Sequence, residues 1–409
     1  MNNDKEWVMN EIEKIACFGK GPQGITRLAF TQTAAQAQKY VIRLMEQAGL
    51  TVTIDPIGNI IGRLEGRDKT LPAVSTGSHL DTVPEGGKYD GVIGVIGGLA
   101  AISRLKDRGG FSHPLELIVF ACEESSRFGF ATIGSKVMTG LANIEEWSKA
   151  KDQEGISFTE VMAQNQLKIE HFSQGVRRRE AMKAFIELHI EQGRVLEKDG
   201  KSIGVVEAIA APTRLKIRVE GVAAHSGSTP MEERQDALVT ASMIVLAIQE
   251  IGLEQSNHGT VATVSMLKVH PGAMNVIPGV VEMWVDIRGI NHKSIIESLQ
   301  DIKDAISTIA EEQETIVSII LLSAEKPIQM NQEIVTLIKK ICVEKKVSHQ
   351  LIHSRAGHDA MNLSHLTPAG MIFVPSQKGA SHNVHEYTAE DDIMAGIDVL
   401  TEALFQLAK

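Results

Sequence analysis

Cysteine is scarce in this 409-residue chain: Cys17, Cys122 and Cys342 are far apart and form no C-x-x-C pair. That excludes a disulfide framework and suits reduced thiols in a cytoplasmic protein. Basic charge is not in surplus either, since 41 Lys and Arg against 51 Asp and Glu leave a net charge of −10. A nucleic-acid surface would need a basic patch, so that class is disfavoured. Aromatic residues make up only 4%, which leaves the core to aliphatic side chains. The longest apolar run, read near Val92 to Ile102, contains three glycines and is too short for a bilayer. The N-terminal MNNDKEWVMNEIEK is charged and helical in pattern, unlike a signal peptide.

Several catalytic signatures are also missing. No G-x-S-x-G elbow is present, which disfavours a serine hydrolase. GKGPQG (Gly19 to Gly24) has dinucleotide-loop spacing, but it follows a helical pattern and contains Pro22, so it reads as a loop. GVIGVIGG lacks that spacing, and no G-K-[ST] accompanies GKGPQG.

What is present is an alternation. A helical stretch, AAQAQKYVIRLMEQAGL, precedes a strand pair in TVTIDPIGNIIGRLEG, turned at Gly58 and Asn59. PAVSTGSHLDT reads as a buried strand, GVIGVIGGLAAISRLKDRG as a helix ending at Gly109, and PLELIVFACEE as a strand ending in two acids. Strands alternating with helices predict an α/β fold with a doubly wound, mostly parallel sheet. From about Arg214 the order changes to strand, helix, two strands, helix, strand, the βαββαβ order of a ferredoxin-like α+β unit. At 409 residues two domains are expected. The seams are placed to give a catalytic domain over 1–210 and 326–409, interrupted by an inserted lid or dimerisation domain over 211–325.

Ligand-type residues gather at predicted strand ends, where open α/β sheets bind their ligands. His79 and Asp81 form H-x-D, with Asp81 able to orient the imidazole. Asp90 follows in the same glycine-rich window. Glu123 and Glu124 point to opposite sides of the chain, one suited to a metal and the other to a proton. His189 stands in the strand-like AFIELHIEQG, and His382 and His385 in SHNVHEYT after the apolar AGMIFVP. Mixed His, Asp and Glu donors suit divalent zinc, cobalt, manganese or nickel.

The ordered motifs GSHLDTVPEGGKYDG, ACEESSRFG, LHIEQG, GVAAHSGSTPMEER, MNVIPG and SHNVHEYT resemble the M20 family of dinuclear metallohydrolases. The narrower likeness is to its hydantoinase/carbamoylase branch. His189 stands where peptidase members commonly carry a carboxylate, and the short spacing from H-x-D to Asp90 points the same way. The resemblance implies two divalent ions per subunit, one on His79, Asp90 and His189, the other on Asp90, Glu124 and His385. It makes Glu123 the general base, with Asp81 supporting His79, and His225 the oxyanion donor, often reaching in from a partner subunit. Arg288 would pair with the substrate carboxylate, and Gln192, Asn275, Gly357 and His358 would contact substrate. The implied reaction cleaves N-carbamoyl-L-amino acids to amino acid, carbon dioxide and ammonia, in a cytoplasmic homodimer joined through the inserted domain. Allantoate and N-carbamoyl-β-alanine are the rival substrates. A catalytically silent metal-binding protein and a nucleotide-binding dehydrogenase are the readings from other classes.

Overall fold

The computed structural model describes residues 2–409, the side chains of Asn2 and Asn3 excepted. The chain divides into two units, one running to Glu207 and resuming at Gln329, the other Ala208–Ile328. These seams lie three residues outside the expected inserted segment at each end. Beside the seams the Met330 amide donates to the Glu207 carbonyl at 2.8 Å.

The first unit is built on a nine-stranded sheet. Its strands are β1 (Thr51–Ile54), β2 (Ile60–Leu64), β3 (Ala73–His79), β4 (Leu115–Phe120), β5 (Met182–Ile190) and β6 (Ile203–Ile209). After the second unit, whose strands are β7 to β12, come β13 (Ile328–Gln329), β14 (His349–Ser354) and β15 (Ala369–Val374). The order is β1-β2-β4-β3-β5-β15-β6-β13, with β14 paired to β6. The middle four strands, β4, β3, β5 and β15, are mutually parallel, and antiparallel pairs β1–β2, β2–β4 and β15–β6 flank them. The fold is therefore α/β with a mainly parallel sheet. Every residue of β3, β4 and β15 is buried, as strands covered on both faces require. The helices Val92–Arg108 and Glu390–Ala408 pack on each other and on β3 and β5.

The second unit contains β7 (Ala211–Glu220), the two-residue β8 (Ala224–His225), β9 (Thr260–His270), the two-residue β10 (Val276–Ile277), β11 (Val280–Gly289) and β12 (Ile316–Ala324). Its four long strands form an antiparallel sheet in the order β12-β7-β11-β9, the ferredoxin-like arrangement read from the sequence. Period-two alternation is strict in β11. Val281, Met283, Val285 and Ile287 are buried, while Glu282, Trp284, Asp286 and Arg288 are half-buried on the other face. The buried set packs against Ala241, Ile244 and Ile248 of the helix Ala237–Gln255 and against Ile302 and Ile306 of the helix His292–Glu312.

The segment Ala237–His258, with mean hydropathy 1.6, is long and apolar enough to cross a membrane by length and composition, which Val92–Ile102 is not. Its glutamates and glutamines hide that length from a search for unbroken apolar runs. In the folded unit the helix lays its Ala237, Ala241, Ile244 and Ile248 into the core, while Val239, Leu246 and Leu253 stay exposed.

Candidate metal centre and active site

Four adjacent parallel strands present their carboxyl ends along one edge of the first unit's sheet, where ligand sites of open α/β folds form. β3 ends at His79; β4 runs into Ala121–Glu124; β5 carries His189 next to its end; β15 leads into the turn with Ser381 and His382. Asp90 precedes the helix Val92–Arg108. Gly91 makes that approach possible. Its φ is +67°, and a Cβ there would lie 2.6 Å from the His79 ring.

Asp90 is the hub. Its Oδ1 lies 3.2 Å from His189 Nε2 and 3.4 Å from His79 Nε2. Its Oδ2 lies 3.2 Å from His382 Nε2 and accepts from Gln192 Nε2 at 2.8 Å and the Ser381 hydroxyl at 3.0 Å. His382 Nε2 is also 3.4 Å from Glu124 Oε1. Two groups able to hold an ion result, His79 with Asp90 and His189, and Asp90 with Glu124 and His382. A third, Glu187 with His189 and His358, overlaps the first. Its Glu187 is already bound to the Ser78 hydroxyl at 2.8 Å and the Ala360 amide at 2.9 Å.

The donor chemistry fits a metal. His79 Nδ1 is 2.9 Å from the Asp81 carbonyl and His189 Nδ1 is 3.0 Å from the Ile190 carbonyl. Each Nδ1 must therefore carry a proton, so Nε2, the atom that faces Asp90, is the one that can bind an ion once the ring is neutral. The carboxylates are crowded and buried. Burial, with Asp90 nearby, pushes the Glu124 carboxyl up to about 7. Burial and the Glu124 charge hold the Glu123 carboxyl well above its ordinary value, against the opposing pull of His79. Burial disfavours the imidazolium of His79, but Glu123, Asp90 and Asp81 outweigh it and raise its pKa. Such a cluster of negative charge is stabilised by cations, and a mixed nitrogen and oxygen donor set suits borderline divalent ions.

Two sequence expectations change at this point. His382, not His385, approaches Asp90 and Glu124. Asn383 sets the difference, because its side chain donates to the Ser381 carbonyl at 2.8 Å and accepts from the His385 amide at 2.9 Å. The turn so fixed, with His382 at φ +58°, leaves His385 exposed. Asp81 does not hold His79 through its carboxylate, which is 3.8 Å away, but through its backbone carbonyl. The carboxylate instead accepts from the amides of Glu123 at 3.2 Å and Glu124 at 2.9 Å. With Cys122 at φ +55°, this bends the chain after β4 and presents both glutamates. Glu123 Oε2 lies 3.8 Å from His79 Nε2.

Of the other residues singled out in the sequence, some lie in the first unit and some in the second. Gln192 donates to Asp90, and its buried Oε1 has no hydrogen-bond partner among the described residues. His358 is buried edge-on to the His189 ring at 4.5 Å, with Nε2 3.0 Å from the Ser354 hydroxyl, so it packs behind a candidate ligand. Gly357 adjoins it, with open space where a Cβ would stand. In the second unit β8 pairs with β10, placing the exposed His225 opposite Val276, and the Ser226 amide bonds to the Asn275 carbonyl at 3.0 Å. Arg288 Nε donates to Asp286 at 2.9 Å.

Nothing in the sequence pattern marks Glu386, yet it is buried against the Asp90 loop. It accepts from the Tyr89 amide at 2.7 Å and the Asp90 amide at 3.1 Å. What sets it apart is that it is buried and bonds to the amides of the Asp90 loop.

Comparison with known proteins shows the family. The model of peptidase family M20/M25/M40 matches residues 76–406. Ureidoglycolate hydrolase of Arabidopsis thaliana is 38% identical, over 99% of this chain and 87% of its own. N-carbamoyl-L-amino acid amidohydrolase of Geobacillus stearothermophilus is 37% identical, over 99% and 98%. Among solved structures, a hydantoinase/carbamoylase family amidase from Burkholderia multivorans superimposes with a TM-score of 0.90 at 34% identity, covering 99% of this chain and 98% of that one. The chain belongs to peptidase family M20/M25/M40 and, within it, to the amide-hydrolysing carbamoylase and allantoate amidohydrolase group.

Proposed function

We propose that the chain hydrolyses the ureido bond of small N-carbamoyl carboxylic acids, with N-carbamoyl-L-amino acids as the first substrates. Two divalent ions of the cobalt, manganese, nickel or zinc type would be held by the donor groups that meet at Asp90. The observation that carries this reading is the division of Asp90, whose Oδ1 faces His79 and His189 while its Oδ2 faces His382. A carboxylate so placed suits a bridge between two ions, with Glu124 completing the second set.

When bound, such a pair supplies Lewis acidity, polarising the carbamoyl oxygen and lowering the pKa of the attacking water. Glu123, buried beside His79 and outside both donor groups, is assigned the proton. It takes it as water adds to the carbamoyl carbon and returns it to the amino nitrogen as the C–N bond breaks. The products are the free amino acid and carbamic acid, which falls apart to carbon dioxide and ammonia. The orphaned Gln192 Oε1 suits a ureido N–H donor. His225 is assigned the oxyanion, Arg288 the substrate carboxylate, and Asn275, Gly357 and His358 supporting contacts. Arginine at the carboxylate position offers a bidentate geometry that lysine lacks. The unit Ala208–Ile328 is assigned the lid and the homodimer contact, the latter on account of its exposed Leu246, Leu253, Ile316 and Ile320. The three free cysteines suit a cytoplasmic setting.

Ureidoglycolate is the second reading, suggested by the 38% identity to the plant enzyme over 99% of this chain. The test is kcat/KM for N-carbamoyl-L-methionine, ureidoglycolate, allantoate and N-carbamoyl-β-alanine on the metal-loaded protein. The proposal expects the first to lead. A higher value for another substrate overturns the substrate assignment alone, and no turnover of any overturns the hydrolase assignment.

A further inference from the structure

Glu386 is a buried carboxylate to which the reaction gives no task. One of its oxygens, Oε1, accepts from the amides of Tyr89 and Asp90, at 2.7 and 3.1 Å. The other, Oε2, is 3.1 Å from the Ser381 hydroxyl. The site is shaped for it: a Cβ on Gly87 would stand 2.1 Å from Glu386 Oε1, so only glycine leaves room for the carboxylate. Ser381 lies between two carboxylates, 3.0 Å from Asp90 Oδ2 and 3.1 Å from Glu386 Oε2, and also accepts from Gln192 Nε2 at 3.2 Å. Its single proton serves one carboxylate at a time.

The two donor groups are anchored unequally. His79 and His189 sit at strand ends and bond through Nδ1 to backbone carbonyls. His382 sits on a half-exposed turn and approaches the site through Nε2 alone, toward Asp90 and Glu124. Asn383 organises that turn internally, and Glu386 and Ser381 tie it to the Asp90 loop. We propose that Glu386 is the positioning residue of the second donor group, fixing the His382 turn against the Asp90 loop so that Asp90, Glu124 and His382 can hold an ion together. The proposal rests on the two-ion reading above.

The test uses the full chain stripped of metal and titrated with cobalt(II), following both the visible absorption bands and the heat. Wild type should fill in two steps. Glu386→Ala should leave the first step within about threefold and weaken the second by roughly 10–100-fold, the range for groups that orient ligands. Glu386→Gln keeps the oxygen that accepts from Tyr89 and Asp90, so it should restore most of the second step. If Glu386→Ala does not fold, Ser381→Ala decides, with an expected loss of about tenfold in the second step only. Two wild-type steps that stay unchanged in the deciding variant, or that weaken equally, overturn this proposal alone. A single wild-type step overturns the two-ion reading and this proposal with it.

Discussion

Removing the Asp81 carboxylate tests how the fold presents its two glutamates. In Asp81→Ala the amides of Glu123 and Glu124, which bond to that carboxylate at 3.2 and 2.9 Å, lose their acceptor in a buried setting. A buried donor left unsatisfied costs about 1–3 kcal/mol, so two cost about 2–6 kcal/mol. Asp81→Asn keeps one oxygen and turns an NH2 group toward the other amide, so its loss should be about 1–3 kcal/mol. Both variants retain the backbone carbonyl that holds His79 Nδ1. Equilibrium denaturation should rank wild type above Asn above Ala. Turnover should fall with the displaced glutamates, while the ion at His79 and His189 should bind nearly as before. If Asp81→Asn instead strips that first ion and leaves stability unchanged, the carboxylate orients His79 after all and the hydrogen-bond reasoning is wrong.

Glu123→Gln should bind metal normally and lose turnover by about 10²–10⁴-fold, the usual contribution of a proton-transfer group; Glu124→Gln should weaken one ion instead, and metal content measured beside kcat separates the two. His382→Ala should loosen the second ion by about 100-fold or more, beyond the 10–100-fold typical of groups behind a ligand, while His385→Ala should bind both ions as wild type does. Arg288→Lys should lower kcat/KM on a substrate with a free carboxylate, because lysine lacks the bidentate geometry. It should cost little on the corresponding amide, and additive losses across that cycle would mean the two groups do not meet.

Much of this was legible because strand ends have a fixed geometry. His79 and His189 lie at or beside the ends of strongly apolar strands, and period two told which residues of β11 share the face of Arg288; β4, read as ending in the two acids, stops at Phe120 instead. The choice between His382 and His385 was not legible. It depends on side-chain bonds made by Asn383 within an irregular turn, and such bonds have no period to read. The role of Asp81 was hidden for a related reason, since H-x-D spacing does not say whether a carboxylate or a carbonyl meets the imidazole. Glu386 was invisible because its bonds to the Tyr89 and Asp90 amides, 297 and 296 residues away in the chain, exist only after folding. The stretch between β4 and β5 also escaped. Its α-helices have only four to seven residues, too few for a 3.6-residue period, and they cohere through Trp147, Phe158 and Phe172 packed in their own core.

The central claim is that Asp90 stands between two ions, and anomalous diffraction from crystals of metal-loaded protein tests it most directly. The account predicts two peaks flanking Asp90, one within bonding distance of His79 and His189, the other within bonding distance of Glu124 and His382. A single peak at saturating metal, or a second peak bound by His385 with His382 turned away, would contradict it.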